Sequence, residues 1–238
     1  MLTDQQTQSP YSQGYRPERA SRRRAPLTEN AEGMLRGAFH LITPFLQGWR
    51  DRWGATPGEV AMRLPGDEIV PDPRYHYTHA ITIKAAVAQV WPWLVQLGQG
   101  KAGYYSYQGL ENLAKCEIYN VYEIRPAWQD VKPGDVVRMS AQPTLPSFPV
   151  AQVIPNRVLV LGAPPKVSAG ETGVSWVFYL HEVGPSETRL IVRWRIWFAA
   201  GWQNWLSYGP ALTGALSFVM ETKTMETIKR LAEGDRVS

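Results

Sequence analysis

The residues whose types and spacing best suit chemistry lie in the stretch KAGYYSYQGLENLAK, which spans residues 101–115. Three tyrosines, a carboxylate and an amide follow one another there, at Tyr104, Tyr105, Tyr107, Glu111 and Asn112. A tyrosine ring buries a large apolar area while its hydroxyl still needs a hydrogen-bond partner, so these rings suit both a wet pocket and the edge of a core. The carboxylate could fix the polar end of an apolar ligand, or act as a general acid or base with a pKa raised by burial.

Helical geometry leaves a second interpretation of Glu111 and Asn112 open. If the helix predicted over residues 109–115 turns Leu110 and Leu113 into the core, the positions between them point away by about 100° per residue. At most one of Glu111 and Asn112 can then lie fully on the core side, and both could belong to a solvated helix face. In the first interpretation Glu111 is the candidate catalytic residue.

Several established catalytic motifs are missing from the sequence. There is no G-x-S-x-G serine nucleophile, no phosphate-binding loop and no dinucleotide fingerprint, which argues against a hydrolase, a kinase or a dehydrogenase and predicts no cofactor. The single cysteine, Cys116, excludes an internal disulfide, and the four histidines lack metal-binding spacing, so no metal is predicted. Two of these histidines, His79 and His181, are expected to be structural.

The composition indicates a globular chain that binds an apolar molecule. With 238 residues, 44% of them hydrophobic, the chain can bury a sizeable core. Its ten tryptophans and eleven tyrosines are unusual, because large amphipathic rings are enriched at pocket linings and membrane interfaces. A small hydrophobic ligand is therefore the expected partner.

The charge distribution argues against a nucleic-acid partner. The formal net charge is +4, but residues 1–24 contain five of the 25 basic side chains and only two of the 21 acidic ones. The rest of the chain carries 20 basic and 19 acidic residues, which is not the electrostatic footprint of a nucleic-acid binder. A basic arm, expected to be disordered, contains Arg16, Arg19, Arg22, Arg23 and Arg24.

The apolar stretch after this arm has two open interpretations. Residues 33–49 have helical spacing with a broad apolar face, but they are too short and too often interrupted to span a bilayer. The helix is expected either to dock on the domain or to lie on a membrane, so that residues 16–49 contact an anionic membrane peripherally. The N terminus has no charged lead-in followed by an apolar core, so the expected location is cytoplasmic, with this membrane-peripheral contact.

The order of the predicted elements indicates an α+β fold. The predicted strands are residues 77–84, 135–139, 149–154, 157–162, 173–183 and 188–198. Two short helices follow the first strand, and a long amphipathic helix over residues 210–233 closes the chain. Short connections between successive strands favour hairpins, so we expect one antiparallel sheet wrapped around the long helix, with a gap that can hold a ligand.

The chain is expected to divide into three parts. Residues 1–30 form the disordered basic arm, residues 31–74 a helical N-terminal extension with a Pro-rich connector, and residues 75–235 the ligand-binding domain. Within the extension, Thr56 and Glu59 have the spacing of a capping box at the start of a short helix.

Strand alternation assigns residues to the side of the pocket. The apolar faces of the last two strands contain Trp176, Phe178 and Trp194, and these faces must turn towards the helix. Trp176 and Trp194 are expected in the cavity wall or in the core. The predicted ligand-binding residues are Tyr104, Tyr105, Tyr107, Glu111, Asn112, Trp176, Phe178, Trp194 and Met220. The segment 199–214, rich in aromatic residues and glycine, is expected to form a lid.

Two segments resemble a known superfamily. The run ITIKAAVAQVWPWLVQLGQGKAGYYSYQGLENL and the later VKPGDVVRM are similar to the START-like (SRPBCC) superfamily, whose helix-grip fold occurs in lipid-transfer domains, plant ligand binders and polyketide cyclases. The upstream segments RWGATPGEV and LPGD resemble an uncharacterised bacterial branch of it. The resemblance covers roughly residues 50–233, and the basic arm and most of the apolar stretch lie outside it.

The resemblance implies a cavity for hydrophobic molecules without specifying a catalytic residue, because carriers and enzymes share this scaffold. The favoured prediction is a non-catalytic binder or carrier of a small lipid-, isoprenoid- or polyketide-like ligand. The alternative is an enzyme similar to polyketide cyclases and dehydratases, in which Glu111 or a tyrosine hydroxyl handles protons.

Overall fold

The structure is a computed structural model that describes residues 27–235, without the side chain of Leu27. The arm predicted at residues 1–30 lies almost entirely outside the described residues. The helices are α1 (Leu27–Ile42), α2 (Gln47–Arg50), α3 (Pro57–Ala61), α4 (Val87–Val95), α5 (Gln108–Leu113), α6 (Trp202–Tyr208) and α7 (Ala215–Ala232). The strands are β1 (Tyr75–Ile83), β2 (Val136–Arg138), β3 (Ser147–Ile154), β4 (Val158–Ala163), β5 (Gly173–Gly184) and β6 (Glu187–Trp197).

The six strands form one antiparallel sheet in the order β1-β6-β5-β4-β3-β2. The predicted hairpin between β3 and β4 is confirmed: Ile154 pairs with Val158 across a turn in which Asn156 has a φ of 58°. Asparagine tolerates this left-handed conformation better than most residues, which suits it to the turn. The predicted α+β architecture, an antiparallel sheet with a long C-terminal helix, is also confirmed.

Helix α7 packs against one face of the sheet and closes the main core. Buried side chains from three layers meet there, including Phe178 and Val192 of the sheet, Leu94 of α4, and Met225 and Ile228 of α7. Complete burial of a side chain of this kind stabilises the fold by roughly 1.5–3 kcal/mol. The helix begins later than predicted, because Pro210–Gly214 form a π-helical turn in front of it.

The opposite face of the sheet is covered by the chain that precedes β1. The guanidinium of Arg193, on β6, is buried against this segment and donates to the Oδ2 atom of Asp67 at 2.8 Å. It also donates, over 2.6–3.1 Å, to the carbonyl oxygens of Glu59, Val60 and Met62. A buried cation requires such partners, so Arg193 ties residues 59–67 to the sheet.

A second arginine of β6 uses the predicted capping box. Thr56 Oγ1 accepts from the backbone N–H of Glu59 at 3.2 Å, and Glu59 Oε2 accepts from the backbone N–H of Thr56 at 2.7 Å. The other oxygen of Glu59 accepts from Arg189 Nε at 2.7 Å. Hydrogen bonding to Arg189 is the largest influence on Glu59 and lowers its pKa to about 2. The N-terminal extension is therefore fixed to the sheet by ion pairs as well as by apolar contacts.

Helix α1 docks on α7 and α5 through its small and polar residues. Gly33 lies so close to Tyr107 that a Cβ atom would come within 2.8 Å of the ring. The buried ring of His40 packs edge-on to Phe218 of α7, with 4.7 Å between the centroids. Several large apolar side chains of α1 and the residues that follow it face outwards instead.

The single helix predicted over residues 33–49 is wrong in its extent. Helix α1 starts at Leu27 and ends at Ile42, because Pro44 cannot donate the next helical hydrogen bond. A 3₁₀ turn and α2 follow, and the buried guanidinium of Arg50 donates to the carbonyl oxygens of His40 and Thr43 at 2.8 and 3.0 Å. Arg50 thus satisfies backbone acceptors that the end of α1 leaves free.

We expect Arg193→Ala to lower the free energy of unfolding by about 3–5 kcal/mol, because it breaks a buried ion pair and removes the donor of three carbonyl oxygens. Urea denaturation measures the change. Lys166→Ala is the control: it removes an exposed ion pair with Glu171 and is expected to cost less than about 1 kcal/mol. Equal losses in the two variants would contradict a role for Arg193 in fixing the extension.

Candidate functional site

A cavity of about 750 Å³ lies between the sheet and the first half of α7. A pocket of this size accommodates a drug-sized molecule. Its wall contains residues of β1, β3, β4, β5 and β6, residues in and beside α5, Met139 and residues 144–147. Leu145, Tyr208 and Leu216 line it and are also partly exposed, so the cavity opens to the surface beside them.

Aromatic rings form the sheet side of the cavity. Tyr77, Trp194 and Trp176 lie directly opposite one another on β1, β6 and β5. The Trp176 and Trp194 rings meet at 73° with centroids 5.7 Å apart, and Phe148 lies edge-on to both. Tyr104, which also lines the cavity, stacks on Trp176 with 6.1 Å between the centroids. The wall therefore offers both ring faces and ring edges to a ligand.

Glu221, on α7, is a buried carboxylate in this wall that the sequence analysis missed. Its Oε2 accepts from Tyr77 Oη at 3.1 Å and from Trp176 Nε1 at 3.0 Å. Its Oε1 lies 2.6 Å from His79 Nδ1. The sequence contains a signal for this buried position. Glu221 precedes Met225 and Ile228 by four and seven residues, so it lies on the same inward, apolar stripe of the helix.

The contacts of His79 define where its protons lie. Its Nε2 is 2.9 Å from the carbonyl oxygen of Arg50, which can only accept, so Nε2 carries a proton. The contact with Glu221 needs one further proton, which gives either an imidazolium beside a carboxylate or a neutral imidazole beside a carboxylic acid. Both forms carry no net charge. Both ring nitrogens of His79 have partners, as expected of a structural histidine, although one of these partners, Glu221, borders the cavity.

Glu111, in the first turn of α5, is the second carboxylate of the wall. Its Oε1 accepts a hydrogen bond from Ser106 Oγ, while its Oε2 is buried without a hydrogen-bond partner. Burial raises the pKa of Glu111 to about 7; the hydrogen bond from Ser106 opposes this rise and the charge of Glu29 adds to it. A carboxyl group with a free oxygen and this pKa can bind a donor or a cation, or transfer a proton.

Five of the predicted ligand-binding residues line the cavity: Tyr104, Glu111, Trp176, Trp194 and Met220. The hydroxyl of Tyr104 donates to the carbonyl oxygen of Arg138 at 3.0 Å. The indole Nε1 of Trp194 is buried and has no hydrogen-bond partner among the described residues. Trp194 and Glu111 are therefore the two of these five residues that have a buried polar atom without a hydrogen-bond partner among the described residues.

The structure does not bring the other four predicted residues, Tyr105, Tyr107, Asn112 and Phe178, to the cavity. Tyr105 Oη accepts from Gln96 at 2.7 Å, and its backbone has a φ of 56°, which turns the ring away from that of Tyr104. The hydroxyl of Tyr107 lies under α1, where it donates to Glu32 at 2.9 Å. The Asn112 amide holds both backbone groups of Ile118, and Phe178 is buried in the main core.

The predicted lid segment contains α6 and the π-helical turn. Ser207, Tyr208 and Thr213 line the cavity from this segment, whereas Trp202 is 74% exposed on its outer side. Among residues 27–235, no group of three or more His, Cys, Asp or Glu side chains is arranged to hold a metal ion. The arrangement can thus enclose an organic molecule, and two residues of its wall, Glu111 and Trp194, each have one buried polar atom without a hydrogen-bond partner among the described residues.

No protein-family model and no curated protein matches the chain in sequence. The chain is similar to the solved structure of the Zhui aromatase/cyclase from Streptomyces sp. R1128, with 16% identity, coverage of 67% of this chain and 93% of the other, and a TM-score of 0.38. It is also similar to the Aha1 dimer from Colwellia psychrerythraea, with 17% identity, coverage of 68% of this chain and 99% of the other, and a TM-score of 0.38. A third similar structure is CalU16 from Micromonospora echinospora, with 15% identity, coverage of 66% of this chain and 83% of the other, and a TM-score of 0.32. Likeness of this degree identifies neither a family nor an activity.

The raised pKa of Glu111 leads to a prediction for stability. Its ordinary pKa is 4.5, so the folded state retains the proton as the pH rises from 4.5 to 7 while the unfolded state loses it. This group therefore destabilises the fold progressively over that range, by about 3 kcal/mol above pH 7. We expect Glu111→Gln to be more stable than the wild type by about 2–3 kcal/mol at pH 8 and by little at pH 4.5.

Urea denaturation at several pH values between 4.5 and 8 tests this expectation. Glu182→Gln is the matched control, since Glu182 is an exposed carboxylate on β5 outside the cavity, and its effect should not change with pH in this way. A stability difference between Glu111→Gln and the wild type that is constant across the range would contradict the raised pKa.

Proposed function

We propose that the protein binds a small hydrophobic ligand between the sheet and α7 and carries it without changing it. The observation that supports this function is the cavity of about 750 Å³ with its wall of aromatic and aliphatic side chains. Wall atoms that border so large a space give up packing contacts, which lowers stability. A ligand of matching shape restores those contacts, and its apolar surface leaves water at the same time.

The hydrogen bonds that Glu221 and Tyr104 already make in the wall favour carriage of a ligand over its chemical conversion. Glu221 receives hydrogen bonds from Tyr77 and Trp176 and contacts His79, and the hydroxyl of Tyr104 is also engaged. Because these groups already have hydrogen-bond partners, they orient a ligand mainly through the shape of the cavity wall and not through new hydrogen bonds. The lipid-, isoprenoid- or polyketide-like character of the ligand and the cytoplasmic location remain predictions from the sequence.

A narrower cavity should bind less ligand. Met220→Trp places an indole ring in the wall, and overpacking of about 1–3 kcal/mol corresponds to roughly 5- to 150-fold weaker binding. We expect native mass spectrometry to detect an apolar molecule on wild-type protein purified from its host and far less of it on Met220→Trp. Titration with Nile red, a neutral hydrophobic dye, measures the loss of affinity.

Val183→Trp serves as the control, because Val183 is exposed on β5 outside the cavity. It adds the same ring to the surface and should bind Nile red as the wild type does. If Met220→Trp and Val183→Trp both bind the dye with wild-type affinity, the ligand site is not this cavity.

We further propose that the protein contacts an anionic membrane through α1 and the turn that follows it. A helix that only capped the domain would bury its apolar rings, but Ile42 is 76% and Phe45 80% exposed, and Phe39 and Trp49 are also exposed. In the sequence, five arginines lie just before this surface, between residues 16 and 24. Basic and apolar signals together suit attachment to anionic lipid.

This surface lies close to the lid segment. The hydroxyl of Tyr75 donates to Asp51, just after α2, at 2.7 Å. Gly214, at the end of the π-helical turn, packs so closely on Tyr75 that a Cβ would come within 2.4 Å of that hydroxyl. Tyr75 thus contacts both the residue that follows α2 and the end of the π-helical turn. Between residues 27 and 235, no helix is both long and apolar enough to cross a membrane.

We expect the double variant Ile42→Glu, Phe45→Glu to bind vesicles at least about tenfold more weakly, because it removes two exposed apolar groups and adds charges repelled by anionic lipid. Flotation with vesicles of phosphatidylserine and phosphatidylcholine in equal parts, at low salt, measures the binding. Leu113→Glu, which changes an equally exposed apolar residue on α5, is the control. Wild-type protein that stays unbound under these conditions would refute the membrane contact.

A second candidate function, proton-transfer catalysis on a polyketide-like substrate, is favoured by the free oxygen of Glu111 and its pKa of about 7. Turnover that disappears in Glu111→Gln while Nile red still binds would establish the enzyme and overturn carriage without chemistry.

A further inference from the structure

Among the described residues, Glu111 is the carboxyl group of the cavity wall that has no basic partner, because the other one, Glu221, contacts His79. Two glutamates, Glu111 and Glu221, line the cavity, and among the described residues no lysine, arginine or histidine side chain does so. A carboxylate or phosphate headgroup placed there would have no cation of the wall to pair with and would be repelled by ionised Glu111 in a site of low dielectric constant. The wall therefore disfavours fatty acids and other anionic amphiphiles.

The two glutamates are not equivalent towards a ligand. Glu221 already contacts three partners, Tyr77, His79 and Trp176, through both of its oxygens. Glu111 has one oxygen bonded to Ser106 and the other buried with no partner. A buried polar atom without a partner is costly, and the cost is larger for a charged group. Of the two glutamates, Glu111 is thus the one whose requirement a ligand can meet.

The aromatic surface beside Glu111 is suited to the same kind of ligand. Tyr104 and Cys116, both in the cavity wall, feel the charge of Glu111, and Tyr104 stacks on Trp176. Indole and phenol faces attract cations through their ring quadrupoles, most strongly away from water. A positive group near Glu111 would therefore meet a counter-ion and aromatic faces together.

We propose that the ligand is a cationic amphiphile, an apolar molecule that carries a protonated amine, and that Glu111 is its counter-ion. The ammonium group donates to Glu111 Oε2, and the apolar part lies along Trp176, Trp194 and Phe148. This inference rests on the proposed binding function and specifies the ligand class for the same cavity.

The pairing depends on pH through Glu111. The titratable groups that face Glu111 are Tyr104, Cys116, Tyr122 and Glu29. Burial raises the pKa of the two tyrosines and of the thiol, so these three stay neutral between pH 6 and 8. Glu29 has a partner outside the cavity, Lys223, at 3.5 Å. With the pKa of Glu111 near 7, its ionised fraction rises about tenfold from pH 6 to pH 8.

Three probes with the same chain and different charge test the proposal: decylammonium, decanol and decanoate. Isothermal titration calorimetry on the full chain should show that decylammonium binds at least about tenfold more tightly than decanol at pH 8, with decanoate weakest. Decylammonium should bind about tenfold more weakly at pH 6 than at pH 8, and decanol should bind equally at both.

Glu111→Gln should lose both the preference for decylammonium and its pH dependence while still binding decanol, whereas Glu182→Gln should keep both. Decanol or decanoate binding as tightly as decylammonium, or a preference that survives in Glu111→Gln, would overturn the amine assignment alone. Failure of all three probes to bind wild-type protein would instead contradict the proposed binding function.

Discussion

The site depends on the contacts that the carboxylate of Glu221 makes with the sheet. This carboxylate is buried in the long helix and requires partners there, and β1 and β5 supply them through Tyr77, His79 and Trp176. A purely apolar contact would let the helix slide along the sheet, whereas several directional bonds to one carboxylate define a position. His79 continues the network to the carbonyl oxygen of Arg50, whose guanidinium holds the end of α1. The helix, the sheet and the N-terminal extension are thus fixed relative to one another at the cavity.

The two faces of the sheet have different roles, and β6 shows both. Its residues alternate between Trp194, in the cavity wall, and Arg193, which holds the extension on the other side. Because side chains on a strand alternate strictly, the same eleven residues build the pocket and fix the segment that covers its back. The extension therefore packs directly on the back of the sheet that carries the cavity.

Much of the fold follows from local patterns. The Pro155-Asn156 turn, the alternation in β5 and β6 and the capping box at Thr56 are each encoded within a few residues, and the structure shows all three. The cavity is less predictable, because its key contacts join distant residues: Glu221 and His79 are separated by 142 positions. Tyr105 and Tyr107 lie within three residues of Tyr104, yet they do not reach the cavity. The backbone of Tyr105 is left-handed, and the hydroxyl of Tyr107 is bonded to α1. Side-chain direction outside regular elements is set by tertiary contacts that no short window contains.

The short helix α6 lies between two glycines, Gly201 with a φ of 142° and Gly209, and a π-helical turn separates it from α7. Its inner residues border the cavity, but the aromatic row to which we assign the ligand contacts belongs to the sheet. Exchange of the ligand and its equilibrium affinity are therefore assigned to different parts of the chain. On the proposed function, sequence change on the outer side of α6 that alters the entry and exit rates equally changes the residence time of the ligand and leaves its dissociation constant the same.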